Sequence, residues 1–184
     1  MIRFEILHIL EVNSTNTVAL EEVKKGVDEG LVIITDHQTS GRGKPGRPWI
    51  SPVGKNLLCS ILLRPPLSPS QAPMLTQIAC RAVAKVLKEK YAITSKFKRP
   101  NDVMVGLKKV CGILVEAVSS ASKLEAVVIG IGLNVNAEAS EIPLEGISMR
   151  LVNKKTYPIQ EVLGHILDAL GPKIDELYET GTIK

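Results

Sequence analysis

Hydrophobic and polar positions along this chain follow two periods, and the switches between them mark its elements. Residues 3–10 alternate loosely and predict a strand. Ser14 then stands as N-cap of a helix over about 15–28, with Val18, Leu20, Val23 and Val27 apolar and Gly26 and Gly30 marking its end. Leu31-Val32-Ile33-Ile34 is a buried strand that stops at Thr35-Asp36, and residues 56–64 form another, closed by Pro65-Pro66. A helical stripe of Leu75, Ile78, Ala79, Ala82, Val83 and Val86 predicts a helix over about 71–90, capped by Ser68 or Ser70. Short strands follow at 93–98, 103–105, 110–117 and 124–131, with a hairpin turning at Gly106. A last helix is expected over about 158–178, with Pro158 near its first position and a kink or split at Gly171-Pro172.

Strands thus come in adjacent groups with helices inserted between them. That favours an α+β fold with a mixed sheet flanked by helices over a strict βαβ alternation. At 184 residues, without internal repeat, linker or low-complexity stretch, the chain reads as one domain over 1–184.

Composition narrows the choice of function. Hydrophobic residues make up 45%, aromatics only 3%, so the core must be built from Val, Ile, Leu and Ala. No apolar run approaches a membrane span, and the N-terminus lacks a signal-peptide layout, so a cytoplasmic protein is expected. The net charge of +4 invites a nucleic-acid reading, but the cations are neither gathered on one helix nor interleaved with aromatics. Cys59, Cys80 and Cys111 are odd in number, widely spaced and set in apolar runs, which fits free thiols and no zinc site. His8, His37 and His165 are scattered, and no Ser-His-Asp triad is visible.

The chemistry concentrates in Gly41-Arg42-Gly43-Lys44-Pro45-Gly46-Arg47, followed by Trp49, the only tryptophan. Glycines let the backbone turn and approach a ligand, and the three cations would repel one another without an anion. This predicts a cradle for phosphate or carboxylate. It is no Walker A loop, and Pro48 and Pro52 exclude the helix that a dinucleotide fingerprint requires. Two other segments break their local pattern. Lys98-Arg99-Pro100-Asn101-Asp102 interrupts a strand run, and Lys109 begins the next strand, where its ammonium can neutralise an anion in a low-dielectric pocket. Strand period is expected to set Lys109 on the face of Cys111, with Lys108 opposite. Gly130-Ile131-Gly132-Leu133-Asn134 places glycines inside a strand, as where a ligand approaches closely, with Asn134 able to read an amide-like base edge.

These segments, with Ser14-Thr15-Asn16, Gln38, Asn56-Leu57 and Gly112-Ile113-Leu114-Val115-Glu116, resemble the biotin protein ligases in order and spacing across residues 14–136. The resemblance implies a catalytic domain like those of class II aminoacyl-tRNA synthetases. It implies two steps: biotin's carboxylate attacks the α-phosphate of ATP with Mg2+, then a lysine of a biotin carboxyl carrier domain attacks the biotinyl-adenylate. By that analogy Ser14, Thr15 and Gln38 hold the ureido ring, with Asn16, Gly41 and Gly112 also in the biotin site. Arg42, Gly43 and Lys44 wrap the biotin tail and phosphate, and Lys109 meets the carboxylate and α-phosphate. Arg47 and Trp49 meet the nucleotide, Asn134 the adenine, and Asn101 and Asp102 complete the nucleotide site. Lys109, Arg42 and Arg47 are the implied catalytic cations. Asp102 is open to a role with metal or amine, or in the turn itself. A homodimer is expected from the family alone.

Two positions depart from the family. Lys44 stands where Arg is usual, so a bidentate grip is lost and retention of the adenylate is expected to suffer; Arg99 stands where Trp is usual. The expectation is a catalytic domain without the family's N-terminal helix-turn-helix, hence without repressor function, and without most or all of its small C-terminal barrel. The alternatives are a shortened binding protein for biotin or its adenylate, and an enzyme like the lipoate–protein ligases.

Overall fold

The apolar runs pair into a single mixed sheet in a computed structural model that describes residues 1–43, 46–120 and 123–183. In chain order the strands are β1 (Glu5–Val12), β2 (Leu31–Gln38), β3 (Leu57–Leu63), β4 (Lys96–Lys98), β5 (Asp102–Val105), β6 (Lys108–Ser120) and β7 (Lys123–Leu133). Their order across the sheet is β1-β2-β3-β7-β6-β5-β4. β1 and β2 run parallel and the remaining neighbours antiparallel. The helices are α1 (Thr15–Lys24), α2 (Ala72–Tyr91), α3 (Met149–Asn153) and α4 (Ile159–Thr180).

The period-2 pattern sorts side chains to two faces. Leu57, Cys59, Ile61 and Leu63 of β3 join Val127, Ile129, Ile131 and Leu133 of β7 in the larger core, against α2 and α4. The opposite face carries a smaller core, in which Ala19 and Val23 of α1 meet Ile33, Leu62, Ala126 and Val128. α1 covers β2, β3 and β7, and its Asn16 reaches β6 at Leu114 and Glu116.

Several expectations shift by a few residues. β2 continues to Gln38, which carries that side chain to the site, and α1 ends at Lys24, four residues short of the expected 28. Ser14 precedes α1 with extended backbone, but its hydroxyl makes no capping bond. Gly106 does turn the β5–β6 hairpin, with φ at +58°, a conformation costly for other residues. The split expected at Gly171-Pro172 does not occur: α4 is one element with Pro172 inside it. Burial on both sides of the proline explains this, since Leu170, Ile174 and Leu177 all enter the core and Gly171 fits against Phe4. The short α3 had no counterpart in the pattern.

Candidate active site

The site begins with side chains that the strands omit. On β7 the face toward α1 reads Ala126, Val128, Gly130, Gly132, and Gly112 of β6 pairs in register with Gly132. Three glycines therefore clear a floor across two strands. A Cβ on Gly132 would come within 2.5 Å of the Trp49 indole, and one on Gly130 within 2.2 Å of Asn16 Oδ1. One on Gly112 would lie 3.0 Å from both Trp49 and the Lys109 ammonium. The cavity above this floor measures about 40 Å³ and is walled by Ser14, Thr15, Asn16, Gln38, Arg42, Gly43, Trp49, Asn101, Lys109 and Gly112.

Its inner end is a closed hydrogen-bond network. The Thr15 N–H and hydroxyl both donate to Gln38 Oε1, at 2.8 and 3.1 Å. Ser60, fully buried on β3, donates to Asn16 Oδ1 and lies 2.7 Å from Thr15 Oγ1. Asn16 Nδ2 donates to the Leu114 carbonyl and to Glu116 Oε2. Buried polar groups must be satisfied, and these satisfy one another. The Asn16 amide is held in this framework and, with Ser14, Thr15 and Gln38, also lines the cavity.

The outer end is a small hairpin. Gly43 N–H donates to Arg47 O at 2.7 Å, and Trp49 N–H to Gly41 O at 2.8 Å. Gly41 is buried where a Cβ would strike the Trp49 carbonyl at 2.5 Å, which explains a glycine at that position. Arg42 is exposed and ion-paired with Glu116 at 2.8 Å. Gly41 and Arg47 lie with Gly46 and Pro48 in a groove on the outer side of the loop rather than in the cavity. Lys44 lies outside the described residues. The Trp49 indole rests over Gly112 and Gly132, with its Nε1 buried and unpaired. An unpaired buried donor costs about 1–3 kcal/mol, and so invites an acceptor.

Lys109 enters by a register shift that the sequence did not reveal. Val103 pairs with Cys111 but Met104 with Lys109, so β6 carries an extra residue at Val110. The bulge corrects the strand-period expectation: Lys109 lies over Gly112, on the face opposite the buried Cys111. Its backbone is held from the other side as well, donating to Glu145 O and accepting from Ile147 N. The ammonium stands 2.7 Å from Asp102 Oδ1, a close ion pair without an aligned hydrogen bond, and 5.3 Å from the centre of the Trp49 ring. Asn101 braces the same corner through Nδ2 to the Ile113 carbonyl. Asn134 is not among the cavity's walls. It is buried at the end of β7, bonded to Asn56 and to the Ile147 carbonyl.

Cys59 also borders the cavity, and burial pushes its thiol up to about 12, so it is neutral and inert near pH 7. Burial raises Cys111 in the same way. Sequence reasoning gave no role to Ser60 or Glu116. A lone hydroxyl in the run Leu-Leu-Cys-Ser-Ile-Leu-Leu was the available signal for the first.

Sheet, loop and glycine floor together are those of the synthetase-like ligases that the sequence resembles. The chain belongs to the biotin/lipoate A/B protein ligase family, which its residues 10–134 match. It is 32% identical over 163 residues to the bifunctional ligase/repressor BirA of Bacillus subtilis, covering 89% of this chain and 46% of that protein. It is likewise 32% identical over 146 residues to a biotin–[acetyl-CoA-carboxylase] ligase of Mycobacterium tuberculosis, covering 77% and 53%. The biotin protein ligase of Aquifex aeolicus, solved with biotin and ATP, superposes with a TM-score of 0.80 at 30% identity, covering 96% of this chain and 72% of that one. The chain spans about half the length of the two curated relatives.

Proposed function

We propose that this chain joins biotin to a lysine of a biotin carboxyl carrier domain, using ATP and passing through biotinyl-5'-adenylate. The observation that carries the proposal is the convergence of Lys109 and Arg42 on a cavity whose floor is cleared by Gly112, Gly130 and Gly132. The biotin and ATP held by the Aquifex protein and the carboxylase named for the mycobacterial relative support the substrates and the carrier.

The chemistry suits the residues. A carboxylate is already ionised at neutral pH and needs no base, so the first step requires alignment and charge neutralisation. Ser14, Thr15 and Gln38 orient the neutral ureido end. Lys109 stands between the attacking carboxylate and the α-phosphate, Arg42 and Lys44 take the remaining phosphate charge, and Arg47 meets the nucleotide from the outer groove. The carboxylate oxygen bonds to the α-phosphorus as pyrophosphate leaves. In the second step the lysine amine attacks the acyl carbon and AMP leaves. Trp49, Asn101, Asp102 and Asn134 form the nucleotide's surroundings in this reading.

Among the described residues no group of three His, Cys, Asp or Glu side chains could hold a metal. Mg2+ would be held chiefly by the nucleotide's phosphates, with Asp102 the carboxylate that would meet it, and would supply neutralisation of phosphate charge. Trp49 lies over Gly112 and Gly132 on the floor of this cavity, so in this reading biotin takes its place there by moving the indole.

No helix among the described residues is long and apolar enough to cross a membrane. The reading extends to a cytoplasmic setting, supported by three buried free thiols, and to a homodimer, which rests on the resemblance alone. The test is incubation with biotin, MgATP and a biotin carboxyl carrier domain, read by mass. One added biotinyl group per carrier is expected. Biotin binding without pyrophosphate release makes the chain a binding protein instead, and transfer of lipoate but not biotin places it with the lipoate ligases.

A further inference from the structure

Glu116 has no part in the mechanism above, yet it is the carboxylate that grips the loop's cation. Its Oε2 accepts from Asn16 Nδ2 at 2.7 Å and from Arg42 Nη2 at 2.8 Å. Asn16 is held on several sides: it is buried, its Oδ1 accepts from Ser60, and it lies against Gly130, where a Cβ would strike it. Glu116 is thus fixed from behind by the inner network, and Arg42 is fixed by Glu116. Arg42 needs such an anchor. It sits exposed between Gly41 and Gly43, and although the loop's backbone is held by the Gly43–Arg47 and Trp49–Gly41 bonds, its side chain has much rotamer entropy to lose. Among the described residues the pair is made through one terminal nitrogen, and the guanidinium's other N–H donors can meet a second anion.

A carboxylate beside a catalytic cation has two opposing effects. It preorganises the cation, and it also repels an incoming phosphate. Placement decides between them. Arg42 borders both the cavity and the outer groove, whereas Glu116 borders only the groove. Arg42 is therefore shared by the two, and Glu116 holds it from the groove side.

We infer that Glu116 is a positioning residue, holding Arg42 at the cavity mouth with a free edge for the phosphate of the acyl-adenylate. The inference rests on the ligase reading. It is tested by supplying preformed biotinyl-adenylate to the full chain and following its release for wild type, Glu116→Gln, Arg42→Ala and the double variant. Glutamine keeps an acceptor for Asn16 and removes the charge that holds Arg42. Glu116→Gln should speed release about tenfold with Arg42 present, on the scale of one charge-assisted hydrogen bond, and leave it unchanged in the Arg42→Ala background. Slower release in Glu116→Gln shows a competitor for the cation and overturns the inference. Equal acceleration in both backgrounds shows an effect through Asn16 and the fold, and also overturns it. Wild type that holds the supplied adenylate but makes none from biotin and ATP sinks only the ligase reading; wild type that cannot hold it sinks both.

Discussion

The two faces of the sheet solve different problems with the same strands. Toward α2 and α4, β6 and β7 present Cys111, Ile113, Ile129, Ile131 and Leu133, all buried in the larger core. Toward α1, one residue further along each strand, they present Gly112, Gly130 and Gly132. The packed face gains stability from apolar area removed from water. The open face gives up that burial at three positions and fills the space with Asn16, Trp49 and the Lys109 chain. The site is thus backed by the larger core, while its own surface stays free of side chains that would exclude a ligand.

The largest effect expected from this contrast belongs to Lys109. Lys109→Ala should cut pyrophosphate release by a factor of hundreds, about 3–4 kcal/mol of transition-state stabilisation, while biotin affinity falls far less. Lys108→Ala, exposed on the hairpin, should change it little. Near-normal release from Lys109→Ala would remove the open face from the chemistry. Next comes Gly130→Ala, which forces Asn16 away from Ser60 and Glu116 and should cost about 1–3 kcal/mol in urea unfolding. It should also weaken biotin binding. Its neighbour on the packed face, Ile129→Val, should cost about 1 kcal/mol and leave binding intact. If both variants bind biotin equally, the faces are not functionally distinct.

Cys59 sharpens the boundary between the two, since it belongs to the core yet borders the cavity. With burial holding its thiol near 12, a thiol reagent at pH 8 should leave the native protein unlabelled and modify all three cysteines after unfolding. Rapid native labelling would mean that the floor opens through to the core.

The smallest effect lies away from both faces. A hydrogen bond from Lys55, at 2.6 Å, holds the Glu141 carboxyl below its ordinary 4.5. A carboxylate depressed on folding contributes stability that is present above the unfolded value and lost as pH falls through the folded one. Wild type should therefore exceed Lys55→Met in Tm at neutral pH, and the gap should shrink below about pH 4. A gap independent of pH would assign the difference to packing of the lysine stem.

Most of the fold was legible because it follows from period. The strand runs, the Gly106 hairpin and the stripe of α2 are local patterns. So was the outline of the site, since glycines inside a strand and cations in a glycine loop both violate the patterns around them. Contacts between distant segments left no local mark. The bulge at Val110, which turns Lys109 away from Cys111, depends on how β5 meets β6. The chain Arg42–Glu116–Asn16–Ser60 joins four segments, and nothing near any one of them announces the others. The split expected at Pro172 failed for a related reason: a local helix breaker was outweighed by burial on both sides.

The central claim is that the space over Gly112, Gly130 and Gly132, now covered by Trp49, receives biotin. Trp49 is the chain's only tryptophan, so its emission reports on that cover without background. Titration of the wild-type protein with biotin should produce a saturable change in tryptophan fluorescence, as the indole leaves the glycine floor. Gly132→Val, whose side chain would occupy the same space, should abolish it. Fluorescence unchanged at saturating biotin, or a response retained in Gly132→Val, would contradict the account.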